Sequence, residues 1–468
     1  MNPQPMPPQR VQSIDGDAET CWLVARDAAG AVSGGVAPLP AAFAAASDAD
    51  GPLVRVEAAG FNYKDALACA GHPGVARVSP LVPGIDLAGT LLEPAGGLPI
   101  GAAVVATGHG LGETRHGGFA TLARPPAAAI LPRPPELSAV ESMALGTAGL
   151  TALLAVDRLD DVAPVAHGSA TGAEWLVTGA SGGVGMLAVA ALAARGRRVV
   201  ACTRKTTATS ALAALGAESV VHPQAIRGDA GKSLSRGRWA GVIDTVGGAI
   251  LADALKATLP GCAVAAIGMA AGHELVTTVH PFILRGVTLC GIDAATLPTP
   301  AERATLWPRL AELWPRVREL LPVSHVGLEE VGGWAAGLLA GSVIARAVVL
   351  PRARAARRHA INLSNAWEAV PEEMAWRRRF GRPTGLEPGD AVRLVWETPA
   401  AAALVLNGLA LPRLDPGRPW CQRVTHLLQE RNELLLTAAT PGTDAPSVGL
   451  PASLGRPLLE IVAVRADG

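Results

Sequence analysis

A glycine-dense turn between two apolar runs is the first feature of this 468-residue sequence that could do chemistry. In WLVTGASGGVGMLAVAALAARGRRVVACTRK (175–205), Gly179, Gly182 and Gly185 recur at every third position. A turn so poor in side chains lets backbone amides approach a pyrophosphate, and the following helix directs its positive dipole end at the same anion. The surrounding order of strand, turn, helix and strand therefore predicts a dinucleotide-binding loop.

The second apolar run of this stretch ends in Thr203, Arg204 and Lys205. A site that prefers NAD usually has Asp or Glu there, whose carboxylate accepts from the ribose hydroxyls and repels an added phosphate. A hydroxyl and two cations can instead hydrogen-bond and neutralise that phosphate. The strand end predicts NADPH as the cofactor, and the alternative interpretation is an exposed, solvated pair of cations.

The elements around this turn indicate a doubly wound domain that follows a β-rich one. Strands and helices alternate over 175–295, as in a parallel α/β sheet, whereas residues before about 145 form short strands broken by Gly and Pro. Ser138 with Glu141 predicts a capping box at the start of a helix. Residues 301–321 predict a broken amphipathic helix, and GSVIARAVVL (341–350) predicts a late strand that returns to the first domain.

The last part of the chain, after a basic segment PRARAARRH (351–359), has a different pattern. We expect a linker over 352–375 and a small all-β sandwich over 376–468, because short β-like runs alternate there with Pro, Gly and Asp turns. This stretch weakly resembles the jelly-roll, galactose-binding-like modules that accompany glycosidases. The module is predicted to be either an inert accessory or oligomerisation domain, or one that binds a ligand or partner.

Composition excludes several classes of function. Forty basic and forty acidic residues leave no net charge that would attract nucleic acid or a membrane surface. The six cysteines lie far apart with no CxxC pair, which favours a reducing, cytoplasmic location over a disulfide framework and argues against a thiolate-rich zinc site. The N-terminus lacks the pattern of a signal peptide, and no run reaches the roughly 20 apolar residues that span a bilayer.

Seven motifs in order resemble the zinc-independent medium-chain dehydrogenase/reductases, most closely the acrylyl-CoA reductase and quinone oxidoreductase-like branch. They are FNYKDALA (61–68), PGIDLAGT (83–90), GHGLGETRHGGFA (108–120), GTAGLTA (146–152), TGASGGVG (178–185), WAGVIDTVGG (239–248) and HPFILRGVTLCGID (280–293). The resemblance implies a GroES-like β-barrel domain over 1–145, closed by 320–350, and a Rossmann NADPH-binding domain over 146–319. It also implies an active cleft between the two domains and a homodimer.

The same resemblance implies which residues bind the cofactor. Tyr63 would lie at the nicotinamide end, and Thr203 and Lys205 match the positions that bind the 2′-phosphate. The sequence departs from the family at Arg204, where a small residue is common, at Ala294, where a Ser is expected, and at His109, where a Trp is expected. The positions implied to contact the pyrophosphate or to line the cofactor are Ser181, Gly182, Gly183, Val184, Met269 and Ile283.

The candidate chemistry is hydride transfer without a metal, and no metal site is predicted because the histidines have no cysteine partners at ligand spacing. The feasible acceptor is a C=C bond already activated by a thioester, ketone or quinone, with hydride added at the β carbon and the enolate held by hydrogen-bond donors. Tyr63, the only tyrosine, and Asn62 are the candidate catalytic residues, while Lys64 and Asp65 are expected to pair locally. The alternatives are an NADPH:quinone oxidoreductase and a non-catalytic, nucleotide-dependent sensing protein.

Overall fold

The structure is a computed structural model that divides the chain into two compact units, Met1–Arg352 and Ala353–Gly468. In the first unit it describes residues 19–40, 51–162, 172–228, 232–296, 298–344 and 346–352. In the second unit it describes residues 359–373, 375–384, 391–396, 400–414, 416, 420–424, 427–438 and 457–462.

The first unit begins with an antiparallel β-rich domain. Its main sheet has the order β14-β15-β3-β4-β5-β7, and the predicted late strand β15 returns to pair antiparallel with β3, which confirms that prediction. Inward-facing residues of these strands form a core in which the rings of Phe61 and Phe119 lie 5.0 Å apart. Its elements are β1 (Thr20–Arg26), β2 (Val32–Pro38), β3 (Val54–Phe61), α1 (Tyr63–Cys69), β4 (Asp86–Leu91), β5 (Ala103–Thr107), β6 (Leu122–Ala123), β7 (Ile130–Pro132), β14 (Val323–Val326), α8 (Val331–Leu339) and β15 (Arg346–Val349).

The middle of the chain forms the predicted doubly wound α/β domain. Its six-stranded sheet has the order β10-β9-β8-β11-β12-β13, and all of its neighbouring strands are parallel. Central strands such as β11 are buried along their whole length because helices cover both faces of the sheet. The elements are β8 (Glu174–Thr178), α3 (Gly183–Ala194), β9 (Arg198–Cys202), α4 (Thr209–Ala214), β10 (Ala217–Val221), β11 (Trp239–Asp244), α5 (Gly248–Lys256), β12 (Thr258–Ala266), α6 (His280–Arg285) and β13 (Thr288–Gly291).

Helix α2 (Ala139–Val162) joins these two domains and bends at Gly146, whose φ of 44° is left-handed. Its start has the predicted capping box, since Ser138 Oγ accepts from the Glu141 amide while the Glu141 carboxylate accepts from the Ser138 amide. By length and composition α2 is apolar enough to cross a membrane, but 83% of its most apolar window is buried inside the protein. It therefore fits the core helix of a folded domain.

Helix α7 (Pro300–Val317) corrects the expectation of a broken helix over 301–321. It is one helix even though Pro308 and Pro315 lie within it. Its buried face includes Trp307, Leu310 and Trp314, and this apolar contact outweighs the amide hydrogen bonds that proline cannot make.

The second unit is a two-sheet β-sandwich around the buried rings of Trp367, Trp376 and Trp396. One sheet has the order β16-β24-β19-β22 and the other β17-β18-β23-β20-β21. Asn407 and Gly408, at φ 52° and 83°, form the tight turn that their sequence predicts. The strands are β16 (His359–Asn362), β17 (Glu368–Val370), β18 (Ala375–Gly381), β19 (Ala391–Trp396), β20 (Ala402–Leu406), β21 (Leu409–Leu414), β22 (Trp420–Arg423), β23 (Arg431–Ala438) and β24 (Pro457–Val462).

The predicted linker over 352–375 is therefore too long. Strands β16 and β17 lie inside it, and β16 pairs antiparallel with β24 as an integral part of the sandwich. Sequence periodicity missed them because each has only three or four residues, which is too short to establish an alternating pattern.

Candidate active site

The glycine turn lies between β8 and α3, as predicted, and its geometry requires glycine. Gly179 has a φ of 58°, a left-handed conformation that L side chains rarely adopt. A Cβ on Gly185 would lie 2.5 Å from the Gly179 carbonyl oxygen and 2.7 Å from Cα of Ala180. The turn closes through a hydrogen bond from the Gly182 amide to the Gly179 carbonyl, at 2.9 Å. The backbone of the turn and the first turn of the helix are thus in direct contact.

The first turn of α3 supplies donors for an anion. The helix begins at Gly183 with Gly182 as its N-cap, so the amides of Gly183 and Val184 lie among those without an intrahelical acceptor. They lie at the positive end of a 12-residue helix. This cradle of backbone amides fits the pyrophosphate of a dinucleotide.

A hydrogen bond between two buried hydroxyls connects the glycine turn to the end of β9. Thr203 Oγ1 donates to Ser181 Oγ at 2.8 Å and accepts from the Lys205 amide at 3.1 Å. The two segments that the sequence predicts to bind the pyrophosphate and the 2′-phosphate therefore lie side by side. Thr203 is 8% exposed and Ser181 5% exposed, so their side chains are fixed by the fold.

The two cations after Thr203 are not neutralised by a carboxylate in the described part of the chain. The Lys205 ammonium donates to the Val343 carbonyl, while Arg204 is exposed. Partial burial and the charge of Arg204 lower the pKa of Lys205. Two adjacent cations that already repel each other favour an anion with several oxygens, such as a phosphate ester.

Asp244 and Thr178, which the sequence analysis missed, fix the strand ends next to the turn. Thr178 Oγ1 donates to Asp244 Oδ1 at 2.5 Å, and the amide of Gly247 donates to Asp244 Oδ2 at 2.7 Å. Burial raises the pKa of Asp244. The signal for both residues is a polar side chain at the carboxyl end of an otherwise apolar strand, where α/β sheets bind ligands.

Tyr63 and Asn62 start helix α1, and the structure gives them different surroundings. Tyr63 is the first helical residue, and it is 38% exposed. Asn62 is the N-cap, and its side chain is held from three directions. Its amide nitrogen donates to Asp86 Oδ2 at 2.8 Å and to Asp65 Oδ2 at 3.2 Å, while its oxygen accepts from Arg346 at 3.1 Å. Both polar atoms of the Asn62 side chain are thus engaged by the protein itself.

The residues around Asn62 form a buried polar cluster of Asp65, Asp86 and Arg346, which are 0%, 0% and 3% exposed. Asp86 also accepts from the amide of Thr147 at 2.8 Å, directly after the bend in α2. Asp65 Oδ1 accepts from the amides of Ile85 and Gly84, at 2.8 and 3.2 Å. Burial and the charge of Asp86 raise the pKa of Asp65 to about 7, although its N–H donors oppose that shift.

Sequence reasoning quoted the motifs that contain these residues but missed the cluster. The signal was present as single charges inside apolar runs, Asp86 in PGIDLAGT and Arg346 in IARAVVL. A charge in such a run is rarely buried without a partner. Their positions lie 260 residues apart, and only the pairing of β15 with β3 and of β3 with β4 brings both to Asn62.

The expected pairing of Lys64 with Asp65 is wrong. Lys64 forms an ion pair with Glu113 at 3.1 Å, whereas Asp65 points into the polar cluster. The pair connects α1 to the 108–116 loop, which is also anchored at its other end. There the amide of His109, a residue with a φ of 54°, donates to the Ala295 carbonyl at 3.2 Å, and its Nδ1 lies 3.2 Å from the Thr107 oxygen.

Met269 and Ile283, which the resemblance places along the cofactor, are both exposed. Met269 is 57% exposed, and its Cα would lie 3.2 Å from a Cβ on Gly247. Ile283 lies on α6 and is 72% exposed. Within the described residues there is no group of three or more His, Cys, Asp or Glu side chains arranged to hold a metal ion.

The fold and the site define a two-domain oxidoreductase, in which a GroES-like domain accompanies a Rossmann domain. Two family models match within the first unit, "Alcohol dehydrogenase GroES-like domain" over residues 48–135 and "Zinc-binding dehydrogenase" over residues 183–312. The chain belongs to the medium-chain dehydrogenase/reductases, in their zinc-independent acrylyl-CoA reductase and quinone oxidoreductase-like branch.

Two curated relatives are similar over most of their length. The chain is 40% identical to the acrylyl-CoA reductase AcuI of Ruegeria pomeroyi over 298 residues, which are 63% of this chain and 88% of that protein. It is also 40% identical over 306 residues to a Bacillus subtilis protein named "Putative quinone oxidoreductase YhfP", covering 64% of this chain and 90% of the relative.

Solved structures of similar proteins hold two different dinucleotides. The yhdH oxidoreductase from Salmonella enterica in complex with NADP has a TM-score of 0.64 at 34% identity, over 71% of this chain and 100% of its own. Bacillus subtilis yhfP with NAD bound has a TM-score of 0.64 at 36% identity, over 72% of this chain and 100% of its own. The cofactor preference of this chain must therefore be argued from its own residues.

Proposed function

We propose that this protein is an NADPH-dependent reductase of an activated C=C bond, and that its substrate class is an enoyl thioester such as acrylyl-CoA. The observation that supports NADPH as the cofactor is the pair of cations Arg204 and Lys205. They follow β9 and have no carboxylate partner in the described residues. Similarity to AcuI supports the substrate class.

Different residues of the chain would bind different parts of the dinucleotide. Amides of the glycine turn and of Gly183 and Val184 would hold the pyrophosphate, while Thr203, Arg204 and Lys205 would hold the 2′-phosphate. Bound NADPH supplies the hydride that adds to the β carbon of the activated alkene. We propose that Met269 and Ile283, both exposed, lie along the dinucleotide.

Tyr63 is the proposed catalytic residue. Its phenol stands at the start of α1 and is partly exposed, so it can donate a hydrogen bond to the cofactor or to the enolate oxygen that develops after hydride addition. We propose Asn62 as a positioning residue, because its amide is held by Asp86, Asp65 and Arg346 and in turn fixes the first turn of the helix.

Replacing Tyr63 by Phe tests this role. We expect kcat with acrylyl-CoA to fall about 10²- to 10³-fold, as on removal of one donor to a developing oxyanion, while Kd for NADPH changes little. Stopped-flow measurement of NADPH oxidation and a fluorescence titration of NADPH separate the two quantities. An unchanged kcat would remove Tyr63 from the chemistry.

The substrate class is tested by a panel of acceptors at saturating NADPH. Acrylyl-CoA, crotonyl-CoA and a quinone are compared by kcat/KM, and we expect acrylyl-CoA to be the best of the three. Turnover of the quinone alone would favour an NADPH:quinone oxidoreductase, the second candidate, which similarity to YhfP supports. Absence of turnover on any of them would favour the non-catalytic, nucleotide-dependent sensing protein.

The oligomeric state remains a prediction. We propose a homodimer, for which the Rossmann sheet offers its edge strand β13 and the exposed side chain of Leu284, at 65% exposure. Light scattering coupled to size-exclusion chromatography measures the mass directly. The cytoplasmic location and the role of the β-sandwich as an accessory or binding module also remain predictions.

A further inference from the structure

A loop of the β-rich domain reaches the two cations that follow β9. The loop comprises residues 340–344 between α8 and β15, whereas Arg204 and Lys205 belong to the Rossmann domain. The Lys205 ammonium donates to the Val343 carbonyl. Nη2 of Arg204 would lie 3.6 Å from a Cβ placed on Gly341. Both cations therefore face the same short segment of the other domain.

The loop is fixed to its own domain by hydrogen bonds. The Gly341 amide donates to the Leu338 carbonyl at 3.1 Å, and the Ser342 amide donates to the Gly337 carbonyl at 3.0 Å. Helix α8, on which these carbonyls lie, buries Val331 and Ala335 in the core of the β-rich domain. A bond between Lys205 and this loop is thus a bond between two domains.

The Val343 carbonyl is a weaker partner for the Lys205 ammonium than a phosphate would be. A neutral carbonyl oxygen carries only a partial charge, whereas a phosphate carries full negative charge, so the Coulomb attraction of the ammonium to the phosphate is the larger one. A phosphate that reached Lys205 would therefore compete with the Val343 carbonyl for the ammonium group. A dinucleotide without a 2′-phosphate has no group that competes for the same ammonium.

We propose that residues 341–343 form a specificity-determining wall of the 2′-phosphate site, in which the Val343 carbonyl holds Lys205 until the phosphate replaces it. The inference rests on the proposed use of NADPH. It implies that NADPH, and not NADH, breaks this link between the two domains. Cofactor selectivity then depends on both domains, not only on the strand end of the Rossmann sheet.

A matched pair of variants at Gly341 tests the wall. The residue has a φ of 70°, and among side-chain-bearing residues Asn and Asp tolerate that region best. Gly341→Asp and Gly341→Asn therefore introduce the same shape and the same strain, and they differ only in a negative charge directed at Arg204. The probes are 2′,5′-ADP, which carries the phosphate, and 5′-AMP, which does not.

Calorimetric titration of each probe gives the result. We expect Gly341→Asp to bind 2′,5′-ADP at least about tenfold more weakly than Gly341→Asn, because its carboxylate occupies the cations and repels the phosphate at close range. Both variants should bind 5′-AMP alike. If the two variants bound 2′,5′-ADP equally while the wild-type protein preferred it to 5′-AMP, residues 341–343 would not be a wall of the 2′-phosphate site. The proposed use of NADPH would be unaffected.

A second measurement tests the hydrogen bond between Lys205 and Val343 in the absence of any ligand. In Lys205→Met, amides of residues 337–344 should exchange with deuterium faster than in the wild-type protein, since the loop loses its anchor on the Rossmann domain. Unchanged exchange there would contradict the bond. A wild-type protein that binds 2′,5′-ADP no better than 5′-AMP would overturn both the proposed cofactor and this inference.

Discussion

Replacing Arg346 by Met removes the only guanidinium from the polar cluster beneath α1. The side chain is 3% exposed, and Asp65 and Asp86, whose charges act on it, are fully buried. Methionine keeps an unbranched, apolar stem but has no donor. The guanidinium donates to Ala144 O at 2.8 Å, Phe61 O at 3.0 Å, Met143 O at 3.0 Å and Asn62 Oδ1 at 3.1 Å.

The expected loss of stability follows from the buried groups that Arg346→Met leaves without a partner. Two buried carboxyl groups lose the nearby positive charge of Arg346, and three carbonyls lose a donor. A buried polar group that is left without its partner costs about 1–3 kcal/mol, so we expect the free energy of unfolding to fall by about 3 kcal/mol. Arg346→Lys should fall between wild type and Arg346→Met, because an ammonium keeps the charge but cannot reach all four acceptors from one compact head. We also expect kcat to fall, since Asn62 loses one of the three groups that orient it.

Hydrogen exchange of β3 and β15 amides at increasing urea measures the stability of the first unit separately from the sandwich. Arg318→Met is the matched control, since the Arg318 side chain is 57% exposed and its loss should change stability by less than about 0.5 kcal/mol. If Arg346→Met lowered the free energy of unfolding by no more than this control, the cluster would not hold the domain as argued.

Three further predictions concern the turn, the strand end and the cluster. Gly185→Ala should abolish NADPH binding in a fluorescence titration, because its Cβ would collide with Gly179. Gly291→Ala is the control: a Cβ there has no atom within 4 Å, so the variant should bind NADPH as the wild-type protein does. Lys205→Glu should weaken NADPH far more than NADH, and equal losses for both would contradict a 2′-phosphate site. The raised pKa of Asp65, about 7 against an ordinary 3.8, favours the folded state at low pH, so urea titrations should show that stabilisation disappearing from about pH 4 to 7. Asp65→Asn should lack this decline, and a parallel decline in that variant would assign it to another group.

Local sequence patterns correctly predicted features that are formed by residues close together in the sequence. The capping box of Ser138 and Glu141, the turn at Asn407 and the strand-turn-helix unit around Gly182 all involve residues close in sequence, and the structure confirms each. Sequence patterns gave a wrong prediction where tertiary packing determines the local structure. Pro308 and Pro315 predict a break that the buried face of α7 overrides.

The sequence by itself determined the doubly wound domain and its glycine turn, because periodicity and glycine spacing are local properties of the chain. It also predicted a phosphate site at the two cations that follow β9. Only the tertiary structure decided that Arg346 meets Asn62 and that Lys205 meets Val343. The physical reason is that each of these contacts joins residues more than 130 positions apart, and strand pairing and domain packing bring them together.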